Sequence, residues 1–532
     1  MNLLVFCDGT WNTPQQLDDG KPAPTNVVKL RNAVAENTQQ RVYYHSGVGT
    51  EGGVVDRYIG GGIGEGLDKN IISAYYWLAT RYQPGDKIWL FGFSRGAYTV
   101  RSLGGMISRC GLLNASQAGT GDDKVWEDIN DLFSYYRQPA GSAPAIVASV
   151  GRPFYSVATG HPTRESIPVY FIGVWETVGA LGIPDDMALA NLLDDPKKYA
   201  FHDTSLSPIV EHARHALALD EQRQSFIPTL WDNVADNPKV KQRWFAGVHA
   251  DVGGGYAQCG LSDITLQWMM TEAAGLGLTL LPGIDAQLAP DPHGLLHDSV
   301  TGIFKLLHTC PRSVPRIVAG SPDVDASVIQ RQSQPMLLHG RYRPVTDVTA
   351  EHPATFDVFA RERWNATGIW LEAGVEYRFM ATGKWVDGSV PCDAGGTDDG
   401  KFYPGEAAQI MASVSDKLEA LWKGGTKNQD VDFWLSRRVG TAPWFALIGV
   451  VANQADPATD APESRHEIVV IGSGCRFTPA KSGYFYAYAN DAWQMYDNNR
   501  GSVSLTISRI PPACAPLHAA PRLSWSQSRR AR

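Results

Sequence analysis

The stretch FGFSRGAYTV (91–100) holds Ser94 between Gly92 and Gly96 at a Gly-x-Ser-x-Gly spacing. A serine hydroxyl attacks an ester carbonyl only if a base takes its proton, an acid orients that base, and amide N–H groups receive the developing oxyanion. The apolar run KIWLF precedes Ser94 and the amphipathic RGAYTVRSLGGMI follows it, so the spacing predicts a sharp strand-to-helix turn. Such a turn presents the backbone N–H of Arg95 to an oxyanion. The alternative is a plain turn serine between a strand and a helix.

A serine nucleophile on such a turn calls for an acid and then a histidine further along the chain. His249 in WFAGVHADVGGGY closes an apolar run just before a glycine-rich loop, which suits an imidazole held over a sheet edge; a packed structural histidine is the alternative. Glu176 in FIGVWETVGALGIP ends a strand, where its carboxylate could meet the imidazole Nδ1–H and fix the tautomer. It could instead cap the next segment, and Asp251 and Asp220 are rival acids. His212 and His215 in EHARHALALDEQR are expected on a helix, packing or pairing there. For a second oxyanion donor, FCDGTWN (6–12) offers the N–H of Gly9 or Thr10, while Asp8 could equally hold a structural hydrogen-bond network. The run GGGIGEG (60–66) has neither Gly-x-Gly-x-x-Gly nor a following Lys-Ser/Thr, so it reads as a mobile loop near the pocket and not a phosphate cradle.

The elements that must position these residues are legible as a pattern. Apolar runs at 3–9, 41–47, 87–94, 167–176 and 243–249 look like strands of a parallel sheet covered on both faces, and 67–82 and 261–277 carry helical periodicity. The expected class is α/β, with sites at the carboxyl ends of the strands. From 312 to 355 the text turns to Pro, Ser and short polar pieces, expected to be a linker or insertion after a catalytic domain at 1–311. Alternating short strands between 356 and 510 predict a β-sandwich, and 511–532 a loose tail.

Bulk properties narrow the function. The chain has 532 residues, enough for two to three domains, and a net charge of −8, which supplies no basic field for nucleic acid. The N-terminus MNLLVFCDGT lacks the basic n-region of a cleaved export signal, and no apolar run is long enough to span a membrane. Seven scattered cysteines without a Cys-x-x-Cys pair argue against a disulfide framework or zinc ribbon. Synthesis in a reducing cytoplasm is expected, with any later export needing no cleaved signal.

Taken in order, FCDGTWN, the long run from GGGIGEG through LFGFSRGAYTVRSLGGMI, GVWETVGALGIP and WFAGVHADVGGGY with LSDITLQWM resemble the α/β-hydrolase catalytic domain of the family-1 type VI secretion lipase effectors over residues 1–310. The resemblance implies a phospholipase of the A1 or A2 kind with a Ser-Asp-His triad and no catalytic cofactor. It also implies delivery by a secretion spike or adaptor into the periplasm of a neighbouring cell, and a cognate immunity protein. Where that family carries Asp-Thr-Val, this chain has Glu176, one methylene longer. Farther on, YAYANDAWQMYDNNRGSVSLTI with FMATGKWVDGS is similar to the calcium-dependent PA-I galactophilic lectin. This second likeness implies a Ca2+ held by Asp387, Asp491, the Met495 carbonyl, Asn498 and Asn499, and a carbohydrate partner; an Asx-rich turn without metal is the alternative. Two further functions stay open: a glycan-binding or adhesin-like protein with an inert hydrolase domain, and an esterase of small acyl esters.

Overall fold

The computed structural model describes residues 1–9, 12–46, 67–116, 123–138, 150, 153–155, 167–178, 204–235, 237–335, 340–397, 437–455 and 465–511. Its N-terminal half is built on β1 (Asn2–Cys7), β4 (Gln40–His45), β5 (Lys87–Phe93), β6 (Val169–Trp175), β7 (Val210–Ala218) and β8 (Val240–Phe245), with a small hairpin of β2 (Leu17–Asp18) and β3 (Lys21–Pro22). The six strands form one sheet in the order β4-β1-β5-β6-β7-β8, and every neighbouring pair is parallel. The chain steps outward from β1 to β4 and then returns across it to β5. The order therefore reverses between β1 and β5, where an open parallel sheet leaves a crevice at its carboxyl edge.

Helices cover both faces: α1 (Asn26–Ala33), α2 (Leu67–Arg81), α3 (Arg95–Cys110), α4 (Asp123–Tyr136), α5 (His249–Gly253), α6 (Gly260–Gly275) and α7 (Ala326–Ser333). The period-2 geometry of β1 sorts its side chains between them. Leu3, Val5 and Cys7 pack with α2, α3 and α4, while Leu4 and Phe6 enter the core beneath α1 and α6. Burial on both faces explains why β1, β5 and β6 read as unbroken apolar runs.

One expected helix is a strand. Residues 210–218, carrying His212 and His215, form β7 between β6 and β8. Three alanines favour helix locally, but Ala213, Ala216 and Leu217 are fully buried, and tertiary burial overrides that preference. His215 lies inside, where burial foremost, and then Arg101, push it down to about 3; its Nε2 accepts from Thr177 N–H at 3.2 Å.

Of segment 312–355, expected as a linker or insertion, the described residues 312–335 pack against the sheet. Val324 bridges to Trp244 and α7 follows, capped by Asp325, whose carboxylate accepts from Ser327 N–H at 3.0 Å. Val314, Ile317, Val324 and Val328 share a buried cluster with Leu217, Trp244 and Tyr484. Beyond it come β9 (Ala354–Phe359), β10 (Asn365–Leu371), β11 (Tyr377–Asp387), β12 (Val390–Asp393), β13 (Leu447–Ala452), β14 (Glu467–Val470), β15 (Gly474–Phe477), β16 (Gly483–Ala489) and β17 (Arg500–Arg509). They make two antiparallel sheets, β10-β16-β13-β14 and β12-β11-β17-β9 with β15 on β11, closing over a core that includes Phe379, Trp385, Phe485 and Leu505. The expected tail lies outside the described residues from 512 onward.

Candidate active site

Ser94 stands at the carboxyl end of β5 as the residue before α3, with φ 56° and ψ −120°. A non-glycine residue in that region is strained, and the strain persists because its neighbours fix it. Gly92 and Gly96 are what let strand and helix crowd so closely. A Cβ on Gly96 would stand 2.0 Å from the Cys7 carbonyl oxygen, and one on Gly92 would stand 2.4 Å from the Gly96 carbonyl oxygen. Backbone cannot yield to such contacts. Arg95 opens α3, so its amide is among those at the helix N-terminus without an intrahelical acceptor.

Glu176 follows β6 and also has a positive φ, 47°. Its Oε2 lies 3.1 Å from His249 Nδ1, and its Oε1 accepts from Ala218 N–H at 2.7 Å. Both oxygens are gripped by Arg312, Nη1 to Oε1 at 2.9 Å and Nη2 to Oε2 at 2.8 Å. Burial by itself would raise the Glu176 carboxyl; Arg312 and His249 outweigh it and hold the group down at about 2. The carboxylate is thus ionised at any working pH.

His249 opens α5, beyond β8, and is 5% exposed. Phe93, next to Ser94, packs on its ring at 4.7 Å between centroids, and Phe226 meets it edge-on at 4.8 Å. Burial lowers its pKa, the Glu176 contact opposing, so the neutral imidazole that a base requires is favoured. With Nδ1 on the carboxylate, Nε2 is the nitrogen left for a serine. Among the described residues no hydrogen bond joins His249 to Ser94, a contact that in serine hydrolases commonly closes with substrate.

The rival acids are engaged elsewhere. Asp251 accepts from Val248 N–H at 3.0 Å and pairs with His297 at 2.6 Å. Asp220 pairs with Arg343 at 2.7 Å and accepts from Tyr342 and from Gly247 N–H. Neither meets the His249 ring.

The expectation of Gly9 as a second oxyanion donor needs correcting: its N–H donates to Asp8 Oδ1 at 2.8 Å, so the carboxylate of its own neighbour occupies it. Gly9 matters instead for closeness, since a Cβ there would stand 3.2 Å from Ser94 Cβ. Asp8 holds a network, accepting from Thr25 and Tyr44 at 2.7 and 3.1 Å, and burial pushes it up to about 6 against those bonds. Thr10 and the 60–66 glycine run lie outside the described residues.

Sequence reasoning missed Arg312 and Glu221. Arg312 sits between Pro311 and Ser313 in a stretch with no periodicity to betray a buried side chain. Glu221 accepts from the His249 backbone N–H at 3.2 Å and from Ser299 at 2.8 Å. Burial would raise its carboxyl, but Arg223 outweighs that and holds it near 2. Its only signal was adjacency to Asp220.

The second cluster lies at the end of β11 and before β17. Asn498 Nδ2 is 3.5 Å from Asp387 Oδ1, Asn499 Nδ2 donates to Asp491 Oδ2 at 2.9 Å, and the Met495 carbonyl accepts from Asn498 N–H at 3.3 Å. Among the described residues the buried Oδ1 atoms of Asn498 and Asn499 have no hydrogen-bond partner. Two orphaned amide oxygens beside two carboxylates fit a hard cation. No group of three or more His, Cys, Asp or Glu among the described residues is placed to hold a metal ion, so a site here depends on the amides and the carbonyl.

A parallel sheet with a strained serine at its switch point, and an acid and histidine from later strand ends, defines an α/β-hydrolase-like protein. Residues 1–272 match the profile of the catalytic domain of Tle1-like phospholipase effectors of the type VI secretion system, and the chain belongs to that family. The uncharacterized protein YEL023C of Saccharomyces cerevisiae is 31% identical over 255 residues, 45% of this chain; the chain spans only 34% of that relative. An uncharacterized Pseudomonas aeruginosa protein of known structure is similar at 16% identity, covering 55% of this chain and 48% of that one, with a TM-score of 0.32. The Tle1 effector solved on the VgrG spike is similar at 17% identity over 48% and 51% of the two chains, TM-score 0.26. A PllA-like lectin, the EclA N-terminal domain, is similar at 16% identity over 29% of this chain and 95% of its own, TM-score 0.18.

Proposed function

We propose that the protein is a serine-dependent phospholipid ester hydrolase of the phospholipase A type, delivered as an antibacterial effector by a type VI spike or adaptor and countered by an immunity protein. The observation that carries this reading is the contact of His249 Nδ1 with an ionised Glu176, on the same sheet edge as the strained Ser94. His249 Nε2 removes the Ser94 proton as Oγ bonds to the acyl carbon. The oxyanion is received by Arg95 N–H at the start of α3. Collapse expels the lysolipid alkoxide, which takes the proton from His249, and water then cleaves the acyl-enzyme by the same route in reverse. Glu176 stays ionised throughout and stabilises the imidazolium.

The test is release of fatty acid from phosphatidylethanolamine and phosphatidylglycerol vesicles, together with fluorophosphonate labelling. Wild type should label once and hydrolyse, whereas Ser94→Ala should do neither. Labelling that persists in Ser94→Ala refutes the nucleophile, and hydrolysis confined to short acyl esters favours a general esterase instead.

In the sandwich, Asp387, Asp491, the Met495 carbonyl, Asn498 and Asn499 are proposed to hold Ca2+, the orphaned Asn498 and Asn499 oxygens supporting the assignment. Bound there, the ion would supply a hard electrophilic centre able to take sugar hydroxyls, which makes carbohydrate the proposed partner of this domain. Calcium should raise the melting temperature of wild type and not of Asn499→Leu; equal response of the two rules the site out.

A further inference from the structure

We propose that Arg312 is the positioning residue of the triad and that the β-sandwich holds it there, so that the accessory domain is a working part of the catalytic unit. The inference rests on the reading of Glu176 and His249 as acid and base.

Arg312 is 7% exposed, and its two terminal nitrogens make four hydrogen bonds. Nη1 donates to Glu176 Oε1 and to the Ala218 carbonyl at 2.9 and 2.6 Å; Nη2 donates to Glu176 Oε2 and to the Phe226 carbonyl at 2.8 and 2.6 Å. One guanidinium therefore fixes the acid, the end of β7 and the residue whose ring walls His249. Glutamate has one more rotatable bond than aspartate, and here its backbone is held at a positive φ. A planar fork on both oxygens removes that freedom and points Oε2 at His249. The same fork shares Oε2 with the imidazole, which limits how far the carboxylate can favour the imidazolium.

Arg312 arrives on a strap, residues 307–312, caught between the two halves of the molecule. On the catalytic side, Cys310 N–H donates to the Gln222 carbonyl at 2.7 Å and Gln224 N–H to the His308 carbonyl at 3.2 Å. On the other side, every second residue is held by the sandwich. Trp493 Nε1 donates to the Leu307 carbonyl at 3.2 Å, Trp364 Nε1 to the Thr309 carbonyl at 3.1 Å, and His466 Nε2 lies 2.9 Å from the Pro311 carbonyl. Trp364 and Trp493 belong to the sandwich, and their indole N–H groups donate to the strap and not to Glu176, His249 or Arg312.

The test uses full-length variants with rates per fluorophosphonate-titrated site, on a chromogenic ester and across pH. Arg312→Lys keeps the charge and loses the fork; kcat should fall about tenfold with KM within about twofold and the acid limb unmoved. Arg312→Gln loses both, so kcat should fall about a hundredfold and the acid limb should rise by about one pH unit, because a cation beside the imidazolium is gone. The double variant Trp364→Phe with Trp493→Phe keeps an aromatic ring at each position and removes both donors to the strap. It should lower kcat several-fold in wild type and add nothing in the Arg312→Gln background, since both act by one route.

Wild-type rate and pH profile in Arg312→Gln overturn the proposal, as does full additivity of the tryptophan changes with it. Hydrolysis that survives Ser94→Ala overturns the triad reading and this inference together. Loss in Ser94→Ala with Arg312→Gln unaffected overturns this one alone.

Discussion

Replacing Glu176 by glutamine isolates the charge at the centre of the site while keeping its shape. The native carboxylate is buried, accepts from Ala218 N–H and carries a two-pronged pair with Arg312. Its pKa falls from 4.5 to about 2 on folding, which is worth about 3 kcal/mol of stability at neutral pH. Because the folded value is the depressed one, that contribution is complete above 4.5 and is lost as pH falls through 2. Glutamine offers one acceptor oxygen where two were used, and its NH2 would face either a donor of Arg312 or His249 Nδ1. Leaving the guanidinium buried and unpaired costs about 3–5 kcal/mol. Urea unfolding of both proteins should show a gap of that size at neutral pH, nearly constant to about pH 5 and roughly halved by about pH 3. The same change should lower kcat by about four orders of magnitude, the imidazole being driven to the wrong tautomer. A gap under about 1 kcal/mol at neutral pH, or one that does not shrink in acid, would refute the assignment of Arg312 and Glu176 as a stabilising buried pair.

Ser94→Gly should abolish hydrolysis yet raise stability by about 1 kcal/mol in the same unfolding assay, because glycine relieves the backbone strain at a φ of 56°. Gly96→Ala, with its new Cβ driven to 2.0 Å from the Cys7 carbonyl oxygen, should cost several kcal/mol or yield insoluble protein, and a stable, active alanine variant would mean that α3 does not pack so closely on β1. Since burial lowers the His249 pKa from 6.5, the acid limb of kcat/KM should lie below that value, and a limb above it would contradict the buried environment of the imidazole.

Much of the sheet was legible in the chain. Strands buried on both faces must be apolar throughout, and LLVFC, KIWLF and VYFIGVW therefore announced β1, β5 and β6 together with the strand ends that carry Asp8, Ser94 and Glu176. The Gly-x-Ser-x-Gly spacing is local, and for Gly92 so is its cause, the Gly96 carbonyl four residues on, whereas Gly96 is required by the Cys7 carbonyl at the end of β1. The strand β7 was misread because alanine-rich text favours helix in isolation, whereas its place between β6 and β8 is a tertiary matter.

The sequence by itself therefore determined the class of sheet, the turn that strains Ser94 and the order in which serine, acid and histidine occur. Only the tertiary structure decided which acid meets His249, turning Asp251 to His297 and Asp220 to Arg343 while bringing Glu176 to Nδ1. It alone brought Arg312 onto Glu176 across 136 residues of chain. The physical reason is range: a turn or an apolar stripe follows from the covalent neighbours of a residue, but the partner of a buried charge is chosen by whichever group the packed chain carries there, and spacing in sequence holds no record of it.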